Sequence, residues 1–224
     1  MIKYLPSLFT CLNLLCGFIA ILVGDYYISS ILLLLCIGFD ALDGLTARMF
    51  NATSPLGKEL DSLADMVSFG IAPAYLYFLL SPLEGLLMYI VPCFFVLASA
   101  LRLAKFNIIP SSKSFLGLPT PATAFFLIGL YFSYHYESDF VISLLSNPYY
   151  YTLIAFFFFV MMLSNLRMFS LKGMNKTVWR NTYQLMQLLI FLSLLFIDYK
   201  IALPVSVLSY ILLSVIQNVL VRNT

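Results

Sequence analysis

The sequence predicts an all-α integral membrane protein, a polytopic bundle of about eight transmembrane helices with both termini cytoplasmic. Three observations carry this expectation. Of the 224 residues, 62% are hydrophobic and only 10% are charged. Soluble domains carry about 25% charged residues, and a chain this poor in polar side chains cannot cover a water-facing surface. The apolar residues come in runs of about 20, the length that crosses a bilayer core as a helix. Nearly all Lys and Arg fall on one side of the alternating connections, which marks the cytoplasmic face. The same numbers exclude a soluble enzyme and a nucleic-acid-binding module.

Eight stretches satisfy the length rule: about 6–24, 27–49, 57–80, 85–106, 119–137, 149–168, 181–198 and 202–221. The first follows Lys3 without a small-residue cleavage site, so it reads as a span and not a cleaved leader. The second starts after the turn Gly24-Asp25 and ends before the polar link from Asn51 to Pro55, which opens the third. Ser81-Pro82 separates the third from the fourth, and Pro110 to Ser114 closes the fourth. Gly117-Leu118-Pro119-Thr120-Pro121 starts the fifth, as proline does in a first helical turn, or shapes a pocket. Asn147-Pro148 introduces the sixth, and a short link around Lys200 joins the last two. Runs such as Ile31 to Leu35 and Phe156 to Phe159 are apolar all round, as lipid-facing or buried helices are. Cys11, Cys16, Cys36 and Cys93 sit in such runs and read as small core hydrophobes. His135 has no neighbouring Cys or His to make a zinc site.

Eight crossings place both ends on one side. Lys3, Arg48, Lys58, Arg102, Lys105, Lys113, Arg167, Lys172, Lys176, Arg180 and Arg222 share that side, leaving Lys200 alone on the other. The acids divide differently. Asp25, Glu84, Glu137, Asp139 and Asp198 belong to outer connections, whereas Asp40, Asp43, Glu59, Asp61 and Asp65 gather on the inner half of spans two and three.

Four of those acids lie inside spans. Asp40 and Asp43 share a helical face at i, i+3, and Asp61 and Asp65 share one at i, i+4. The link Met49 to Leu56 folds the two helices into a hairpin, so the pairs face each other. Acids at membrane depth are costly and read as functional. Four carboxylates together stay ionised only beside cations, and all-oxygen ligation points to Mg²⁺, Mn²⁺ or Ca²⁺. Four suit two divalent ions, as in two-metal phosphoryl transfer. The alternative is that the acids pair with Arg48, Lys58 and Arg102 and only hold helices together. Gly44 and Ala47 extend the Asp40 face, and Gly57 opens the Asp61 face. Small residues there admit a bulky substrate or allow close helix packing.

Written out, the stretch is Asp40-x2-Asp43-Gly44-x2-Ala47-Arg48-x8-Gly57-x3-Asp61-x3-Asp65. It resembles the motif of the CDP-alcohol phosphatidyltransferase family, with all eight fixed identities at the family spacing. Flanking segments are similar to the branch of that family that uses serine. They are Leu5 to Thr10, Leu12 to Gly17, Glu59 to Asp65, Val67 to Gly70, Ala100 to Asn107, Gly117 to Pro121 and Ser164 to Arg167. Lys105 stands where that branch usually has Arg. The resemblance implies phospholipid biosynthesis: the phosphatidyl group passes from CDP-diacylglycerol to the hydroxyl of L-serine, and CMP leaves. It implies two divalent metal ions, Mg²⁺ or Mn²⁺, on Asp40, Asp43, Asp61 and Asp65, with Asp65 also the general base. It implies CDP binding by Gly44, Ala47, Arg48 and Gly57. It further implies a six-helix family core at 1–168 with the motif at 40–65, two additional helices at 169–224, and a homodimer in the cell membrane.

Serine needs a cation for its carboxylate, and Arg102 and Arg167, at cytoplasmic span ends, are suited to it. Lys105 and Asn107 are placed to help with serine or phosphate. Arg102, Lys105 and Arg167 also fit as ordinary positive-inside anchors. Asn13, in an apolar span, is either helix glue or a site residue. Other acceptors, such as glycerol phosphate or inositol phosphate, remain open within the family. A divalent-cation transporter is the alternative from another class, but 28–37 and 69–80, the outer halves of spans two and three, are nearly all apolar and offer no through-path.

Overall fold

The computed structural model describes residues 4–50, 52, 54–108, 115–168 and 182–222. It is helical apart from one short strand pair. Helix α1 spans Leu5–Val23, with Pro6 in its first turn, and ends where Gly24 takes φ 63 and returns its N–H to Ala20 O, a left-handed cap that glycine adopts without strain. Helix α2 spans Tyr26–Met49, and Asp25 caps it by accepting the Ile28 N–H at 2.8 Å. Helix α3 spans Pro55–Asp65, capped by Ser54, whose Oγ accepts the Gly57 N–H at 3.0 Å.

The chain then continues through a π-helical turn, Met66–Ile71, into α4, Ala72–Leu79. Ala72 N–H reaches back five residues to Val67 O. Pro73 follows at once; it has no N–H to return and its ring crowds the preceding turn, which is where a helix widens. The remaining elements are α5 (Leu87–Ile108), β1 (Phe115–Leu116), α6 (Thr120–His135), α7 (Asp139–Ser146), α8 (Pro148–Leu163), β2 (Arg167–Met168), α9 (Thr182–Ile197) and α10 (Ala202–Arg222).

All eight predicted stretches are helical over most of their length. Among the described residues, five helical segments are long and apolar enough to cross a membrane: Leu5–Val23, Tyr26–Met49, Pro55–Leu79, Leu87–Ile108 and Ala202–Val219. The count is six if α7 and α8, bent by 90°, form one broken span. The stretches expected at 119–137 and 181–198 form helices of 16 residues each. The stretch expected at 149–168 stops at Leu163, because Ser164 turns extended and Arg167–Met168 pairs antiparallel with Phe115–Leu116. Gly117 makes this crossing possible. Its φ is 73, and a Cβ there would lie 2.4 Å from Met162 O.

Helix α1 packs on α2 and α3, α5 on α8, and α6 on both α2 and α10. Gly17 brings α1 against the π-helical turn, where an added Cβ would sit 2.6 Å from Ser68 Oγ. The buried core is rich in aromatic rings, including Tyr77, Tyr131, Tyr151, Phe95 and Phe158. Tyr77 and Tyr151 stack at 4.2 Å and each donates its hydroxyl to the other's carbonyl, at 2.7 and 2.8 Å. Tyr131 donates to Pro73 O. Each buried phenol thus has its acceptor, as an apolar interior requires.

Candidate active site

The hairpin of α2 and α3 sets the acids at one end of the bundle. Carboxylate oxygens of Asp40, Asp61 and Asp65 lie within 4.8 Å of one another. Asp43, on the same helix as Asp40, is buried next to this trio and turns to α1, where Thr10 Oγ1 donates to its Oδ2 at 2.9 Å. All three other acids act electrostatically on Asp65. The four predicted ligands are therefore one electrostatic unit, but the close cluster has three members and Asp43 flanks it.

Helix α1 supplies the hydrogen bonds around them. Asn13 Nδ2 donates to Asp65 Oδ1 at 3.3 Å. Asn13 O accepts from Ser68 Oγ at 3.0 Å and Cys36 Sγ at 3.3 Å, tying α1 to the π-helical turn and to α2. Asn13 Oδ1 is buried and has no hydrogen-bond partner among the described residues.

The cations considered as partners for the acids also bond to main-chain carbonyls. Arg48 Nε donates to Gly44 O at 2.9 Å, and Lys58 Nζ donates to Asn107 O at 3.1 Å. Arg102 donates through Nη1 to Leu116 O at 2.9 Å and Met162 O at 3.5 Å. Clustered carboxylates with a buried amide oxygen at Asn13 make an all-oxygen donor set, and that set fits hard divalent cations.

A cavity of about 560 Å³ opens beside the trio. Asp40, Asp61, Asp65, Arg102 and Asn107 line it, with apolar walls from Ile37, Leu103, Phe106 and Phe125. Asn107 is locked to α3 by bonds to Ser62 Oγ (2.9 Å) and Glu59 Oε2 (3.2 Å). Of the residues predicted for the acceptor, Arg102 and Asn107 reach this cavity. Lys105 is exposed and donates to Asn165 Oδ1 at 3.4 Å, Arg167 is exposed on β2, and Asn13 stands behind Asp65. Gly44, Ala47, Arg48 and Gly57 are also outside its lining. A Cβ on Gly44 would meet nothing within 4 Å, so that face is open, whereas Gly57 abuts its own cap, Ser54 Oγ. Lys113, Lys172, Lys176 and Arg180 lie outside the described residues.

Sequence reasoning missed Thr10 and the cavity wall from the last two helices, Gln187, Ser206, Val207 and Tyr210. The available signal was a glutamine within an apolar run, since such a residue must find a partner.

Helical architecture and clustered carboxylates inside two neighbouring spans define a multi-pass membrane protein with an oxygen-rich site that could hold a metal ion. The chain belongs to the CDP-alcohol phosphatidyltransferase family, whose model it matches over residues 3–162. It is 33% identical over 228 aligned positions to the CDP-diacylglycerol–serine O-phosphatidyltransferase of Helicobacter pylori, covering 95% of this chain and 90% of that protein. It is 46% identical over 120 residues to the protein of that name from Methanocaldococcus jannaschii, covering 54% of this chain and 56% of the relative. The archaetidylserine synthase of Methanothermobacter thermautotrophicus is 38% identical over 138 residues, covering 57% and 59%. The chain thus spans little more than half the length of these two archaeal relatives.

Proposed function

We propose that this protein transfers the phosphatidyl group of CDP-diacylglycerol to the hydroxyl of L-serine, releasing CMP, at the cytoplasmic face of the membrane. One observation carries the reading: the family motif at 40–65 folds into a carboxylate cluster that opens directly onto a cavity containing Arg102. The names of the relatives support serine as acceptor. The eight-span topology, with both termini cytoplasmic, follows from the charge asymmetry.

Asp40, Asp43, Asp61 and Asp65 would hold two divalent ions, whose charge would offset the pyrophosphate and the departing CMP. Asp65 accepts the proton of the serine hydroxyl as its oxygen attacks the lipid-side phosphorus. The hydrogen bond from Asn13 fixes the orientation of that carboxylate. Gly44, Ala47, Arg48 and Gly57 take the CDP group on the open side of the hairpin. Arg102, held by two carbonyls, offers its remaining donors to the serine carboxylate.

Purified protein with Mg²⁺ or Mn²⁺, CDP-diacylglycerol and labelled L-serine should release CMP and form labelled lipid. A panel that replaces serine with glycerol 3-phosphate, inositol or inositol phosphate identifies the acceptor. Turnover with one of these and none with serine would overturn the assignment.

A further inference from the structure

The last two helices form one wall of the cavity. Helix α10 presents Ser206, Val207 and Tyr210 to it, and α9 presents Gln187. Gln187 is buried, with its Nε2 donating to Ser206 O at 2.8 Å and its Oε1 accepting from Ser209 Oγ at 3.2 Å. Both ends of the amide bond to α10, which fixes the register of the two helices at cavity depth.

Helix α10 is in turn seated on α6. A Cβ on Gly129 would fall 2.5 Å from Pro204 Cδ, and Ser133 donates to Lys200 O. Tyr210, only 7% exposed, shares the cavity lining with Arg102 and lies within electrostatic range of it. Both helices lie beyond residues 3–162, the segment that the family model matches, and none of the residues assigned to CDP lines this cavity. The nucleotide side and the cavity side of the carboxylates therefore meet different parts of the reactants.

We propose that Tyr210 is an acceptor-specificity residue: with Arg102 it seats the carboxylate of a small amino-acid acceptor, and Gln187 is a positioning residue that holds α10 at the required depth. The proposal rests on the phosphatidyl-transfer reading above. A phenol hydroxyl and a guanidinium in one cavity lining are donors of the kind that suit a carboxylate. The cavity is several times larger than such an acceptor, which leaves room for the glycerol end of the lipid along Phe106 and Phe125.

The test uses the full chain in detergent micelles with Mg²⁺. Tyr210→Phe removes one hydroxyl and keeps the ring. Its KM for L-serine should rise about tenfold, its KM for CDP-diacylglycerol should stay within twofold, and kcat should fall far less than the serine KM rises. The rise in Tm that L-serine produces should shrink in the same variant. Val207→Phe, which fills the cavity from the same helix, should also raise the serine KM. An unmoved serine KM in Tyr210→Phe, or an increase in the CDP-diacylglycerol KM instead, overturns the assignment of Tyr210. Wild-type protein that turns over CDP-diacylglycerol with another acceptor but not with serine overturns the underlying reading as well, so the two failures are distinguishable.

Discussion

Thr10 and Asn13 are three residues apart on α1, and each holds one acid of the site: Thr10 bonds Asp43 and Asn13 bonds Asp65. Neither side chain is charged, yet together they decide where two carboxylates point. Thr10→Val keeps the shape and removes the donor, so turnover should drop about five- to tenfold, and Thr10→Ser should recover most of it. Asp65, the proposed general base, is less forgiving. Asp65→Asn should lower lipid formation by roughly 10²–10⁴-fold, the range that a general base supplies, while the Tm stays near wild type because the substitution removes a buried charge. CMP release measured beside a melting curve separates the two effects. Chelation with EDTA should abolish turnover in the wild type, and added Mg²⁺ or Mn²⁺ should restore it.

At the scale of elements, the bundle depends on a few places where backbones nearly touch. Gly17 meets Ser68, Gly117 meets Met162, and Gly129 meets Pro204. Each of these contacts includes a main-chain atom, which cannot swing aside as a flexible side chain can. Gly129→Val should push α10 off α6 and destabilise the fold by about 1–3 kcal/mol. It should also raise the serine KM through the displaced wall while leaving binding of CDP-diacylglycerol intact. Gly117→Ala combines an overlap with a left-handed φ and should lower Tm further than Gly129→Ala. The helix α7 could not be anticipated from composition, because eight residues of mixed apolar character look like the end of one span or the start of the next. Nor did the sequence mark the early end of α8, since the strand pair that ends it joins residues some fifty positions apart.

For the molecule as a whole, charge placement is the main guide to orientation. Lys200→Cys, in a background without the four native cysteines, should react with an impermeant thiol reagent on intact cells. Phe50→Cys, at the end of α2, should react only after the membrane is opened. The reverse pattern would invert the topology. The gathering of carboxylates was legible because aspartates at i, i+3 and i, i+4 share a helical face whatever surrounds them. Arg102 and Asn107 were legible as polar residues at a span end. Tyr210 was not, because it reaches the cavity through the docking of α10 on α6, and no local pattern encodes that. The turn of Asp43 toward Thr10 was likewise invisible, because it needs the docked position of α1.

The widened turn at Met66–Ile71 has a bearing on how this span tolerates insertions and deletions. A π-helical turn holds one residue more than an α-helix needs over the same rise. Losing a single position there would return the segment to ordinary winding and leave Asp65 and Tyr77 in phase with their neighbours. Losing one elsewhere in Pro55–Leu79 would rotate one half against the other by about 100°, the angle per residue of an α-helix. Length variation among sequences of this kind should therefore concentrate immediately after the last aspartate, where the span can lose one residue without turning its outer half against the carboxylates.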